Sequence, residues 1–72
     1  MSFYVYIIYS SKADKYYTGY TGNIETRLAK HNSGATRSTW MGKPWELVYS
    51  EKFENKTDAI KREITIKKIQ LL

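Results

Sequence analysis

"YYTGYTGNIETRLAKHN", residues Tyr16 to Asn32, decides how the chain folds. Its first part, Tyr16 to Thr21, is aromatic and β-branched, which predicts a short strand. Gly22 and Asn23 break that strand. From there, Ile24 and Leu28 one turn apart predict a helix capped by Asn23 and stopped by Gly34. At about 100° per residue, His31 shares an arc of about 60° with Ile24 and Leu28, and Arg27 lies roughly 40° beyond it. An arginine and a histidine therefore edge the buried stripe of this helix.

Working outward, Phe3 to Tyr9, "FYVYIIY", contains no glycine or proline and predicts a strand covered on both faces. The polar "SSKADK" between it and Tyr16 predicts a turn, so the two strands form an antiparallel hairpin. Any register that opposes an even-numbered residue of the first strand to an odd-numbered one of the second puts Tyr6 and Tyr17 on the same face.

Downstream, "GATRSTWMGKP" lacks periodicity and predicts a loop carrying Arg37, Trp40 and Lys43. "WELVYSEKF" alternates as a third strand, with Trp45, Leu47 and Tyr49 expected on one face. The last element is a helix from about Asn55, capped by Asn55 or Thr57. Its wheel turns Ala59, Ile60, Ile64 and Ile66 inward and Lys61, Arg62, Thr65 and Lys68 outward, with Glu63 falling in the inward arc. The expected architecture is one α/β (α+β) domain over residues 1–72: a three-stranded, largely antiparallel sheet flanked by two main helices.

Composition narrows the function classes. A chain of 72 residues buries only about 60% of the surface its unfolded form exposes. It has no cysteine, so neither disulfides nor thiolate metal sites reinforce it, and the core falls to seven tyrosines, two tryptophans and two phenylalanines among the aromatics. Twelve Lys or Arg against seven Asp or Glu leave a formal charge of +5, which makes a polyanion the first partner to consider. No apolar run approaches a membrane span, and the start lacks the pattern of a signal peptide, so the expectation is a cytoplasmic protein with no membrane contact.

An inward glutamate needs a partner, and for Glu63 that is Lys67 four residues on, Arg27 across the interface, or a bound cation. Tyr6 and Tyr17 have an alternative role as core packing, and Arg27 and His31 as a solvated helix edge. If both helices pack on the sheet face that carries Tyr6 and Tyr17, all five side chains converge. Such a set suits phosphodiester hydrolysis, which needs an activated water, cationic stabilisation at phosphorus and a metal to neutralise the leaving oxygen. One histidine and no cysteine argue against zinc and exclude a cysteine nucleophile, and "TGYTGN" is neither a Walker loop nor a dinucleotide fingerprint.

The same residues resemble the GIY-YIG nuclease superfamily, and particularly its small stand-alone bacterial members. Val5-Tyr6-Ile7 stands for the first signature and Tyr17-Thr18-Gly19 for the second. Arg27, eight residues after Gly19, then His31 and Glu63 match the remaining positions, and "YTG.T.N...RL..HN" with a late "A..RE..IKK" is the stand-alone pattern. Val5 replaces a glycine and Thr18 an isoleucine, and the asparagine that follows the glutamate in several of these nucleases has no counterpart up to Leu72.

The resemblance implies an endonuclease acting on DNA with Mg2+ or Mn2+ bound by Glu63. It implies that Arg27 contacts the scissile phosphate, that Tyr6 or Tyr17 takes the proton of the attacking water, that His31 assists or orients a tyrosine hydroxyl, and that Gly19 permits close backbone approach. Arg37, Trp40, Lys43 and Lys67 are the candidates for contact with structured or single-stranded DNA. A non-catalytic nucleic-acid-binding module with the same fold is the alternative. A homodimer or a protein partner stays open.

Overall fold

The structure, a computed structural model, describes residues 2–34 and 39–70. In chain order these form β1 (Phe3–Ser10), β2 (Lys15–Thr21), α1 (Ile24–Ser33), a short 3-10 turn (Trp40–Gly42), β3 (Glu46–Phe53) and α2 (Lys56–Gln70). The sheet order is β2-β1-β3 with both pairings antiparallel, so the most apolar strand occupies the centre. That position explains why β1 is covered on both faces.

The hairpin closes through a turn whose last residue, Asp14, takes a left-handed φ of 51°. An aspartate tolerates that region better than most residues, and here its carboxylate accepts a bond from the Tyr9 hydroxyl at 2.8 Å. The resulting register opposes Tyr6 to Gly19 and Ile8 to Tyr17, an even-to-odd pairing that puts Tyr6, Ile8 and Tyr17 on one face. Phe3, Val5, Ile7 and Tyr20 point the other way.

α1 begins and ends where the sequence predicts. The Asn23 side chain accepts from the Thr26 N–H at 3.0 Å, and Gly34 closes the helix with a left-handed φ of 83°. Ile24 and Leu28 pack on the cluster of Tyr6, Ile8 and Trp45. The next residue on that helix edge, Asn32, accepts from the Trp45 backbone N–H and donates to the Trp45 carbonyl at 3.1 Å, clasping the start of the third strand to α1.

α2 lies on the opposite face of the sheet. Ala59 and Ile66 are buried there against Val5, with Phe3, Ile7, Tyr20 and Phe53 around them. The sheet is thus flanked by two helices as expected, and the condition that both cover the face of Tyr6 and Tyr17 is not met: one helix covers each face. The wheel of α2 is corrected. Ile64 is 48% exposed, and Arg62 turns toward the sheet to pair with Glu51 at 2.6 Å. With Ala59 and Ile66 seven residues apart as the anchors, the buried stripe is a narrow line through Arg62 and Glu63, and Ile64 falls outside it.

β3 departs from simple alternation too. Ile7 opposes Tyr49 while Ile8 opposes Leu47, which leaves Val48 as the extra residue of a β-bulge. Opposed residues share a face, so Leu47 joins Ile8 and Trp45 while Tyr49 is flipped to the α2 side. Trp45, Leu47 and Tyr49 therefore do not share a face. As an edge strand β3 also stays open, with Leu47, Val48 and Tyr49 all exposed.

Candidate active site

The two sheet faces meet in a cavity of about 420 Å3 at the end of the sheet where β2 runs into α1. Tyr6 and Tyr17 line it from the α1 face, Arg27 from α1, and Lys56 and Glu63 from α2, with Gly19, Gly22 and Thr21 as the strand wall. Tyr6, Tyr17, Arg27 and Glu63 therefore meet although the helices sit on opposite faces, because the cavity wraps the end of β2 instead of lying over one face.

Gly19 has a specific reason to be a glycine. A Cβ at this position would lie 2.6 Å from the Tyr6 hydroxyl oxygen and 2.8 Å from its Cζ. The close approach anticipated for Gly19 is thus made by the ring of Tyr6, directly opposite in register. That approach lets Tyr6 lie flat enough across β2 to reach α1.

There it meets His31. Tyr6 Oη and His31 Nε2 are 2.9 Å apart, and His31 Nδ1 lies 2.7 Å from Thr39 Oγ1. The Trp45 indole N–H donates to the Thr39 carbonyl at 2.7 Å, and the Tyr17 ring stands 5.0 Å from the imidazole, centroid to centroid. His31 is only 1% exposed and does not line the cavity. Of the two roles implied for it, orienting a tyrosine hydroxyl is the one this geometry suits: any effect His31 has on a reacting group passes through Tyr6.

Burial and charge shape the protonation of this pair. The Tyr6 hydroxyl is pushed up to about 12, chiefly by burial and then by Tyr17, with Arg27 opposing and Glu63 adding to the rise. His31 is held below its ordinary value by burial first and by the Arg27 guanidinium second, so it is neutral at pH 7.

Both shifts make folding depend on pH. Below pH 6.5 an unfolded histidine takes up a proton that the buried His31 resists, so stability falls as pH drops through 6.5 toward the lowered value. Between pH 10 and about 12 the unfolded tyrosine releases a proton that Tyr6 keeps, so stability falls again as pH rises. Urea midpoints measured across pH should show both declines, and a midpoint that stays level below 6.5 would contradict the burial of His31.

Glu63 is inward as the wheel predicts, its side chain 15% exposed, and its Oε2 is paired with Lys67 Nζ at 3.4 Å. Among the described residues no group of three or more His, Cys, Asp or Glu could hold a metal. One carboxylate at the rim of a polar cavity does not fit zinc, which takes several protein ligands, but does fit Mg2+ or Mn2+, for which waters fill most positions.

Of the candidate DNA contacts, Trp40 is 50% exposed on the 3-10 turn and Lys43 is exposed after it, and neither lines the cavity. Trp45, not Trp40, is the tryptophan that packs on the sheet. Lys67 is tied to Glu63, and Arg37 lies outside the described residues. The sequence reading missed Lys56 and Thr39. Lys56 was legible: it stands seven residues before Glu63, hence on the same face of α2. Thr39 carried no such signal.

A hairpin, a capped helix bearing Arg27 and His31, and a last helix bearing Glu63, all meeting at one cavity, define a GIY-YIG fold, and the chain belongs to the GIY-YIG family: residues 2–70 match the GIY-YIG catalytic domain. Within that class it is similar to the UPF0213 proteins. It is 46% identical over 65 residues to the UPF0213 protein SH2523 of Staphylococcus haemolyticus, covering 89% of this chain and 78% of that one. It is also 46% identical over 67 residues to the UPF0213 protein CPE1444 of Clostridium perfringens, covering 92% and 71%. Against the solution NMR structure of the UPF0213 protein BH0048 from Bacillus halodurans the TM-score is 0.56 at 35% identity, over 93% of this chain and 71% of that one. No helix among the described residues is long and apolar enough to cross a membrane.

Proposed function

We propose that the protein is a divalent-metal-dependent endonuclease that hydrolyses DNA phosphodiester bonds with low sequence specificity. The observation that carries this reading is the single cavity shared by Tyr6, Tyr17, Arg27, Lys56 and Glu63, with a neutral histidine hydrogen-bonded behind one of the tyrosines. Arg27 offers a guanidinium to the phosphate and opposes the charge that builds on its oxygens. Lys56 adds a second cation at the mouth. Tyr6 and Tyr17 orient the attacking water, and Tyr6 passes its proton toward His31. A phenol pushed up to about 12 is a poor base on its own, so a neutral imidazole at its back is what gives the proton somewhere to go. Glu63 would hold the Mg2+ or Mn2+, which when bound supplies positive charge to the leaving oxygen. Phosphate is common to every sequence, hence the low specificity.

One observation favours a second reading, a non-catalytic nucleic-acid-binding module: Glu63 is already satisfied by Lys67. The two separate cleanly. Purified protein is incubated with duplex, single-stranded and branched DNA in Mg2+, Mn2+ or EDTA, and binding is followed in parallel against salt. Cleavage with either metal and none in EDTA is the expected result. Salt-dependent binding with intact substrate throughout would replace the nuclease with the binding module.

A further inference from the structure

Behind Tyr6 the hydrogen-bonded chain does not stop at His31. Thr39, 1% exposed, places its hydroxyl on the second ring nitrogen, and its own backbone is held by Trp45, whose backbone is in turn clasped by Asn32 of α1. We propose that Thr39 is a positioning residue that holds His31 in the tautomer protonated at Nδ1, leaving Nε2 as the acceptor for the Tyr6 hydroxyl proton.

The bonds alone admit two arrangements, because a neutral imidazole donates from one nitrogen and accepts at the other, whereas a threonine hydroxyl can do either. The chemistry of the two ends chooses between them. A phenol is a stronger donor than an imidazole N–H, and an imidazole nitrogen is a stronger acceptor than a phenol oxygen. The favourable bond at 2.9 Å therefore runs from Tyr6 O–H to Nε2, which leaves Nδ1–H to donate to Thr39 Oγ1 at 2.7 Å. With its proton committed to the imidazole, Tyr6 presents its oxygen to the cavity as an acceptor.

The consequence for the reaction rests on the nuclease reading. A water in the cavity gives its proton to Tyr6 Oη as Tyr6 gives its own to Nε2. The resulting hydroxide bonds to phosphorus and the ester oxygen leaves. The imidazolium, still donating from Nδ1 to Thr39, returns its proton through Tyr6 to the leaving group or to water. In the other tautomer Nε2 already carries a proton and the relay is blocked.

The chain contains one histidine, so its ring nitrogens can be assigned without ambiguity in a long-range proton–nitrogen correlation spectrum of nitrogen-15-labelled protein. With His31 neutral, the proposal expects a protonated, pyrrole-type shift at Nδ1 and a pyridine-type shift at Nε2. Thr39→Val, nearly the same shape without the hydroxyl, should move both shifts toward the other tautomer, and Thr39→Ser should restore them. In cleavage the valine variant should lose about tenfold or more and the serine variant should recover, in keeping with the size of proton-transfer contributions. Wild-type protein with the proton on Nε2, or a valine variant with unchanged shifts, would overturn the assignment. The spectrum needs no cleavage, so a chain that cuts nothing would refute the nuclease reading and leave the tautomer to be decided by the shifts.

Discussion

On the nuclease reading proposed above, Arg27→Ala should lower single-turnover cleavage by about 10²–10³, the loss expected when one preorganised group facing developing charge is removed. Arg27 already acts on its neighbours: its charge lowers His31 and partly offsets the rise at Tyr6. A cation that reaches both groups and also lines the cavity is available to a phosphate bound there. Removing it has a signature beyond rate. His31 should titrate closer to its ordinary value, because the second cause of its depression is gone, while Tyr6 should become harder still to ionise. Arg27→Lys should recover part of the rate, since it restores charge without the two-pronged geometry. An alanine variant with unchanged cleavage and a shifted His31 would place Arg27 beside the substrate without a part in the transition state.

Gly19→Ala destabilises the fold by about 1–3 kcal/mol, the range for forcing a methyl group into a packed site. The added carbon would lie 2.6 Å from the Tyr6 hydroxyl oxygen, closer than real side chains come. Tyr6 is 3% exposed and bonded to His31, so moving its ring away from β2 pulls against that bond. Relief means breaking that bond, and the proton relay fails with it. Gly22→Ala is the control. It lines the same cavity, yet a Cβ there meets nothing within 4 Å, so stability should change by less than about 0.5 kcal/mol. Equal melting curves for the two variants would mean that Tyr6 does not lie across β2 as described.

Local chemistry was the legible part of this sequence. Asn23 and Gly34 mark the ends of α1 because a side-chain acceptor and a left-handed glycine are what helix ends require. The face shared by Tyr6 and Tyr17 followed on the condition of an even-to-odd register, which the hairpin meets. What was hidden depends on events that leave no residue signature. The bulge at Val48 sits at an ordinary β-branched residue, without glycine or proline to mark it, yet it reverses every later side chain of β3. Which face receives α2 is set by how the chain leaves β3, and the wheel of α2, with isoleucines at 60, 64, 66 and 69, offers no single stripe to choose by. The depth of His31 was underestimated because Thr39, which covers its far nitrogen, lies in a stretch with no periodicity. The site was therefore readable as a list of residues and not as an arrangement.

The placement of the helices on opposite faces divides the candidate site between two separate dockings. Arg27 and His31 ride on α1, which is clasped to the third strand through Asn32, whereas Glu63 and Lys56 ride on α2, anchored by Ala59 and Ile66. Each docking opens with its own free energy, and amide hydrogen exchange reads the two helices separately. Whichever helix opens first would part the carboxylate from the arginine while the other face of the sheet stays covered. The geometry of the candidate site would then be lost before the whole fold, at a temperature set by the weaker of the two dockings.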